Sequence, residues 1–134
     1  MGVILDTSLL IAFEREALDL GSFVHGRTHE TFGISVITAS ELLHGVHRAD
    51  TAKRRIKRAA YVEKVLDQIP VYPFDLASAR VYADVWARLQ KQGVQIGAHD
   101  SMIASTALSL GFSVATLDIR DYRRIEGLVI EHLV

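Results

Sequence analysis

Short apolar runs alternate with longer amphipathic stretches along this chain, and no other feature of the sequence constrains the fold as strongly. The short runs predict β-strands at residues 3–5, 32–36, 69–72, 112–116 and 128–130. The longer stretches predict helices at residues 8–17, 39–47, 53–68, 76–92 and 101–110, with residues 18–26 extending or restarting the first of them. Strands separated by helices form a parallel sheet with helices on both faces. We therefore predict one domain over residues 1–134, an α/β/α sandwich with a central parallel sheet.

The composition excludes several classes of protein and of site. Of the 134 residues, 49% are hydrophobic and 23% are charged, which is typical of a globular domain. No apolar run approaches the length of a membrane span, and the N-terminal run lacks a basic leader and is interrupted by Asp6, so we expect neither a membrane segment nor a signal peptide. The absence of cysteine excludes disulfides, thiolate catalysis and cysteine zinc sites, and it fits a cytoplasmic protein. Because the net charge is −1, contacts to nucleic acid would require a local basic patch.

Acidic residues stand at the junctions between the predicted elements. Asp6 directly follows the first strand, and Glu41 lies in the first turn of the helix after the second strand. Asp100 opens the helix before the fourth strand, and Asp118 follows that strand, with Asp121 close behind. The carboxyl ends of parallel strands share one edge of the sheet, and ligands bind at that edge. These acids are therefore the first candidates for a functional site.

Each acid also has a purely structural explanation, which we favour for any one of them taken alone. Asp6 and Asp118 could cap the N-termini of helices by accepting hydrogen bonds from backbone amides. Residues 38–41, Thr-Ala-Ser-Glu, fit the capping box, in which the glutamate reaches back to the first residue. Asp100 could simply favour the positive end of its helix dipole.

Taken together, the acids favour a metal site. If the first, second and fourth strands lie side by side, Asp6, Glu41 and Asp118 converge, and Asp100 joins them when its helix starts at the same edge. Carboxylates that crowd together repel unless a proton or a cation neutralises them. Oxygen ligands without imidazole or thiolate suit hard cations such as Mg²⁺ or Mn²⁺. The chemistry that such a site supports is metal-dependent hydrolysis of a phosphodiester.

Longer stretches around these acids resemble a known family. They read LDTSLLIA at the N-terminus, ISVITASELLHGV around Glu41, IGAHDSMIASTALSLG around Asp100 and VATLDIRDYRRIEGLVI near the C-terminus. In this order and spacing they resemble the PIN-domain ribonucleases, and within them the toxins of VapBC toxin–antitoxin pairs. The resemblance covers essentially the whole chain.

The resemblance implies a mechanism and a set of site residues. By it, an acidic quartet holds one or two Mg²⁺ or Mn²⁺ ions, and a metal-bound water cleaves RNA endonucleolytically; the quartet is Asp6, Glu41, Asp100 and Asp118. Ser8 and Thr116 carry over as hydroxyls that hold the site together. Asp121 could share or substitute the role of Asp118, because the fourth acid is the most variable position in the family. The implied partners are an RNA substrate, an antitoxin of VapB type that often presents a basic side chain to the acidic pocket, and a second copy of the chain in a homodimer.

Basic residues offer candidate contacts to RNA. Three arginines follow the fourth acid and could bind phosphates, although they could equally be surface charges: Arg120, Arg123 and Arg124. The densest basic run, residues 53–58, could also hold the RNA backbone, but we favour the solvated face of an amphipathic helix.

Several other residues could carry function. Glu41, His44 and His47 recur at three-residue steps, but this spacing differs from His-Glu-x-x-His, so surface histidines are favoured over a zinc site. His99, beside Asp100, could contact substrate, but we favour a loop histidine without a task. Three aromatic residues suit packing between helices or between subunits: Phe74, Tyr82 and Trp86.

Other functional classes fit the sequence less well. A signalling receiver domain needs an acidic pair after the first strand and a lysine after a late strand, and both are missing. A phosphatase of the Asp-x-Asp-x-Thr class requires an acid at position 8, which is a serine. The alternative that stays open is a non-catalytic PIN-fold binding module that acts only in complexes. The intact quartet argues against it.

Overall fold

The computed structural model describes residues 2–16, 19–27 and 30–131. Within these residues the elements follow one another in the order β1 (Gly2–Leu5), α1 (Thr7–Arg15), α2 (Leu20–His25), β2 (Thr31–Ser35), α3 (Val36–His47), α4 (Ala52–Gln68), β3 (Val71–Tyr72), α5 (Leu76–Gln92), α6 (Ala98–Leu110), β4 (Ser113–Ala115), α7 (Ile119–Tyr122) and β5 (Ile130–Glu131). Residues 17 and 18, where the first predicted helix was to end and the next to begin, lie outside the described part.

All strands belong to one parallel sheet of order β3-β2-β1-β4-β5. The central strand β1 is buried along its whole length, because it pairs on both edges and is covered on both faces. Val3 and Leu5 pack into the core formed with α1 to α4, whereas Ile4 packs into the core formed with α5, α6 and Tyr122. The predicted α/β/α sandwich with a central parallel sheet is therefore confirmed.

Helix α5 has the predicted limits. It ends at Gly93, whose φ of 69° lies in the left-handed region that glycine adopts without strain. Helices α1 and α4 begin one residue earlier than predicted, whereas α3, at Val36, and α6, at Ala98, begin three residues earlier. In α3 the cause is Ser35, whose Oγ accepts a hydrogen bond from the Ile37 amide at 3.0 Å and caps the helix directly after β2.

This early start overturns two predictions about Glu41. The capping box at residues 38–41 is wrong, because Ser35 is the cap and Thr38 already lies within the helix. Glu41 therefore belongs to the second turn of α3 instead of the first, and its carboxylate is not needed as a cap.

Neighbouring strands bring the predicted site together. β1 lies between β2 and β4, so the residues that follow these three strands meet at the carboxyl edge of the sheet. In the described part of the chain, no helix combines the length and the hydropathy that crossing a membrane requires.

Candidate active site

Asp6 is the buried centre of the acidic edge. Its exposed fraction is 3%, and its Oδ2 accepts hydrogen bonds from Ser8 Oγ at 2.7 Å and from Thr116 Oγ1 at 2.8 Å. The Ser8 amide also reaches Oδ2, at 3.4 Å, so Asp6 caps α1 as well as facing the site. A buried charge requires such partners to offset its lost hydration.

The two hydroxyls predicted to support the site also anchor the loop after β4. Ser8 Oγ accepts a hydrogen bond from the Leu117 amide at 3.2 Å, and Thr116 Oγ1 accepts one from the Asp118 amide at 2.8 Å. Each hydroxyl thus donates to Asp6 and accepts from the loop. Two hydroxyls therefore connect the Asp6 carboxylate by hydrogen bonds to the backbone amides of Leu117 and Asp118, and so position Asp118.

Tyr122 is a site residue that the sequence analysis missed. Its side chain is fully buried, and its hydroxyl donates to Asp6 Oδ1 at 2.8 Å. The same hydroxyl lies 3.5 Å from Asp100 Oδ1. Burial, followed by the charge of Asp6, raises the pKa of Tyr122 well above its usual value, so the hydroxyl keeps its proton. The sequence places Tyr122 four residues after Asp118, but this spacing does not indicate that its hydroxyl reaches Asp6.

Asp100 stands where the negative charges converge. Burial, followed by the charges of Asp6, Asp118, Glu41 and Asp121 in that order, raises its pKa to about 6. Carboxylate oxygens of Asp100, Asp118 and Asp121 all lie within 4.8 Å of one another. Both candidates for the fourth acid, Asp118 and Asp121, therefore adjoin Asp100. Asp118 occupies the N-cap position of α7 but makes no capping hydrogen bond with its side chain.

Glu41 reaches the site from α3. Its Oε1 accepts a hydrogen bond from Thr7 Oγ1 at 2.7 Å, and its Oε2 lies 3.3 Å from His99 Nδ1. His99 was interpreted as a loop residue without a task, and this is wrong, because it lies in the first turn of α6 and contacts Glu41. Thr7, which the sequence analysis also missed, lies 3.1 Å from Thr38 Oγ1 and so joins α1 to α3.

The chemistry of this donor set fits a hard divalent cation. The acids around Asp100 offer only carboxylate oxygens, which Mg²⁺ and Mn²⁺ prefer. After burial, the charges of the neighbouring carboxylates contribute to the raised pKa of Asp100, and a bound cation would offset those charges. The residues present therefore fit the predicted metal.

The predicted RNA-binding arginines are exposed on and after α7. Arg120 and Arg123 form no ion pair within the part of the chain that the structure describes. Arg124 lines a groove beside α5, together with Asp84 and Arg88, so it does not extend the acidic site. Their contacts to RNA stay a prediction.

The basic run and the histidines occupy exposed helix faces. Within residues 53–58, Arg54 pairs with Asp50 at 2.9 Å. Arg58 donates to the Gly45 carbonyl at 3.2 Å, as expected of an amphipathic helix at the surface. His44 and His47 point to solvent, and the described residues hold no metal-ligand group that includes them.

The three aromatics form a row that begins at Phe74, just before α5, and continues along the outside of that helix; Phe74 meets Tyr82 edge to face, and Tyr82 stacks on Trp86. Phe74 and Tyr82 have ring centroids 5.9 Å apart, and Tyr82 and Trp86 are 5.7 Å apart. The exposed fraction of Trp86 is 54%. The row is therefore not core, and it borders a groove that ends at the first turn of α6.

Comparison with known proteins places this geometry in a family. The PIN domain matches residues 3–128 of the chain. Ribonuclease VapC1 of Rickettsia felis is 40% identical over 129 residues, which cover 96% of this chain and 93% of that protein. The tRNA(fMet)-specific endonuclease VapC of Shigella flexneri is 33% identical over 71% of this chain and 70% of that protein.

Solved structures agree with the sequence relatives. DNA-bound VapBC from Salmonella typhimurium is 28% identical to this chain, with a TM-score of 0.88, and the match covers 100% of this chain and 99% of that one. The match therefore includes every described strand and helix that brings the acids to one edge of this sheet. The chain therefore belongs to the PIN domain family, and within it to the VapC proteins.

Proposed function

We propose that this protein is a metal-dependent endoribonuclease, the toxin of a type II toxin–antitoxin pair. One observation carries the proposal, namely that four further carboxylates act on Asp100 at the carboxyl edge of the sheet. The relatives named ribonuclease and endonuclease supply the substrate class, RNA. Their names also support hydrolysis of a phosphodiester as the reaction.

In the mechanism that we propose, Asp6 and Asp100 are the principal ligands of Mg²⁺ or Mn²⁺. Glu41 and Asp118 complete the site, orient the attacking water or hold a second ion, and Asp121 can share the part of Asp118. When bound, a divalent cation supplies positive charge beside the phosphodiester and lowers the pKa of water. Ser8 and Thr116 hold the Asp6 carboxylate in place by donating hydrogen bonds to its Oδ2.

The proposed macromolecular partners are a VapB-type antitoxin and a second copy of the chain. VapBC complexes among the structural neighbours support the antitoxin. A basic antitoxin side chain entering the acidic edge would neutralise the charge that raises the pKa of Asp100. The exposed aromatic row on α5 supports a homodimer, because such side chains are enriched at interfaces. We propose that the protein acts in the cytoplasm, where RNA and the antitoxin would be present, and the absence of cysteine is consistent with this location.

The test is cleavage of RNA by protein that is free of antitoxin. Purified protein is incubated with total bacterial RNA and Mg²⁺ or Mn²⁺, or with excess chelator, and the new RNA ends are sequenced. We expect a few discrete cuts that chelator abolishes and that Asp6→Asn also abolishes. Asp84→Asn is the matched control, because this exposed acid pairs with Arg88 on α5, away from the acidic edge, and should leave cleavage intact.

Two results would contradict the proposal. If Asp6→Asn cuts RNA as well as the unmodified protein and chelator does not stop it, the acidic residues are not part of the mechanism. Failure of the folded, antitoxin-free protein to cut any RNA in either metal would favour the non-catalytic binding module instead.

A further inference from the structure

The two oxygens of the Asp6 carboxylate have unequal surroundings. Oδ2 accepts from Ser8 Oγ, Thr116 Oγ1 and the Ser8 amide, at 2.7, 2.8 and 3.4 Å. A carboxylate oxygen accepts through about two lone pairs, so Oδ2 has no position left. Among the described residues, Oδ1 accepts only from Tyr122. Oδ1 is therefore the atom of Asp6 with an acceptor position still open to a cation.

The Tyr122 hydroxyl lies between the two principal acids of the proposed site. It is 2.8 Å from Asp6 Oδ1 and 3.5 Å from Asp100 Oδ1, and its ring is fully buried in the core beneath them. A phenol hydroxyl can donate one hydrogen bond, and here the closer carboxylate, Asp6, accepts it. This proton therefore lies close to two carboxylates whose charges act on each other.

We propose that Tyr122 is a positioning residue whose hydroxyl proton partly replaces the cation in the metal-free protein and thereby sets the metal affinity. The inference rests on the proposed function and adds the control of its metal site. Without metal, the hydroxyl stabilises Oδ1 and reduces the repulsion between Asp6 and Asp100. When a cation binds, the hydroxyl competes with it for the electrons of Oδ1, so binding is weaker than these acids alone would give.

The measurement is Mn²⁺ binding to the purified chain by isothermal titration calorimetry, with thermal unfolding of the metal-free protein alongside. Tyr122→Phe keeps the buried ring and removes only the hydroxyl. We expect it to lower the melting temperature of the metal-free protein and to tighten Mn²⁺ binding by about tenfold, because a hydrogen bond to a charged group is lost from the metal-free state alone. Cleavage is not needed as a readout, so failure of the proposed ribonuclease activity would leave this result interpretable.

A second tyrosine gives the matched control. Tyr61 donates its hydroxyl to the Leu10 carbonyl at 2.5 Å, on the other side of the sheet from the Tyr122 ring. Tyr61→Phe should also lower the melting temperature, but it should leave the Mn²⁺ affinity unchanged. Weaker or unchanged Mn²⁺ binding by Tyr122→Phe would overturn the proposal, since it would make the hydroxyl a merely structural partner.

A measurement on the unmodified protein keeps the proposal testable if Tyr122→Phe does not fold. A hydroxyl proton that is buried and hydrogen-bonded exchanges slowly enough for its resonance to be followed by NMR. Adding Mg²⁺ should shift the hydroxyl resonance of Tyr122 and leave that of Tyr61 in place. A Tyr122 resonance that ignores saturating Mg²⁺ would contradict the competition for Oδ1.

Discussion

Asp100 owes its unusual chemistry to its place in the fold rather than to its immediate sequence neighbours. It lies in the first turn of α6, half-buried, with four other carboxylates acting on it. Its pKa of about 6 lies above the value of 3.8 that it would have in an unfolded chain. The folded, metal-free protein therefore retains a proton that the unfolded chain has already lost between these two values.

This difference predicts how stability depends on pH. Between about pH 4 and 6 the folded state binds more protons at Asp100 than the unfolded state does, so this residue lowers the free energy of unfolding as pH rises. We expect Asp100→Asn to remove this pH-dependent decrease in the free energy of unfolding. In chelator, the variant should therefore have a higher free energy of unfolding than the unmodified protein at pH 7, and the difference should shrink towards pH 4. Thermal unfolding across this range measures the difference.

Comparison of the two proteins is necessary because other carboxylates act in the opposite direction. Hydrogen bonds lower the pKa of Asp19, Asp50 and Asp75, which adds stability as pH rises in the acidic range. These contributions are common to both proteins and cancel in the difference. Asp84→Asn serves as the control at an acid outside the cluster. A stability difference for Asp100→Asn that does not change with pH would contradict the assignment of the raised pKa.

At the scale of single residues, the sequence predicts the acids better than their partners. The acids were recognisable because each follows a strand or opens a helix, and the strand pattern is legible from apolar runs. Tyr122 and Thr7 were not recognisable, because their hydroxyls meet Asp6 and Glu41 only through the packing of α7 and α1 against the sheet. Such contacts depend on helix rotation, which one sequence does not specify.

Among the elements, β1 and β2 carry a feature that apolar patterning does not reveal. Gly2 and Gly33 lie on the face of the sheet that also carries Ile4, and a Cβ at either position would overlap an aromatic ring, Phe112 at Gly2 and Tyr72 at Gly33. These two rings pack edge to face with centroids 5.5 Å apart. The glycines therefore leave room for an aromatic pair directly on the sheet.

This feature predicts opposite outcomes for the same substitution at two glycines. Gly33→Ala should destabilise the protein by about 1–3 kcal/mol, because the Tyr72 ring and the nearby Pro70 carbonyl must move. Gly45→Ala, in the interior of α3, places its Cβ at an ordinary 3.8 Å from Arg58 and should gain about 0.5–1 kcal/mol from helix propensity. Urea unfolding of both variants measures the difference. Equal effects of the same sign would contradict the role assigned to the aromatic pair.

The end of a helix could be predicted where a glycine terminates it. The start could not be predicted where the cap is a serine, because serine also occurs in strands and loops. α5 ends at Gly93 as expected, since only glycine takes this backbone conformation freely. The start of α3 was misplaced by the length of its first turn, because residues 36–38 are as compatible with a strand as with a helix. Only the hydrogen bond from the Ile37 amide to Ser35 decides between them.

For the molecule as a whole, the aromatic row along α5 is the surface on which the proposed homodimer depends. If it mediates the proposed homodimer, Trp86→Ala should convert a dimer to a monomer at micromolar concentration without changing the circular dichroism spectrum. Ile56→Ala is the matched control, because Ile56 is an exposed apolar residue of α4, with an exposed fraction of 72%. Light scattering coupled to gel filtration measures the mass. A monomeric unmodified protein, or a dimer that survives Trp86→Ala, would remove this surface from the interface.

The hydrogen bonds that hold Asp6 span nearly the whole chain, since its partners Thr116 and Tyr122 follow it by 110 and 116 residues. A ribosome therefore releases Asp6 long before it has made the groups that position it. The central strand β1 also lacks one of its two neighbouring strands until β4 has been synthesised. Until residues 116 and 122 emerge, the nascent chain holds separated acids and no assembled site. For the proposed toxin, this order would leave an interval in which antitoxin could be made before the first active molecule forms.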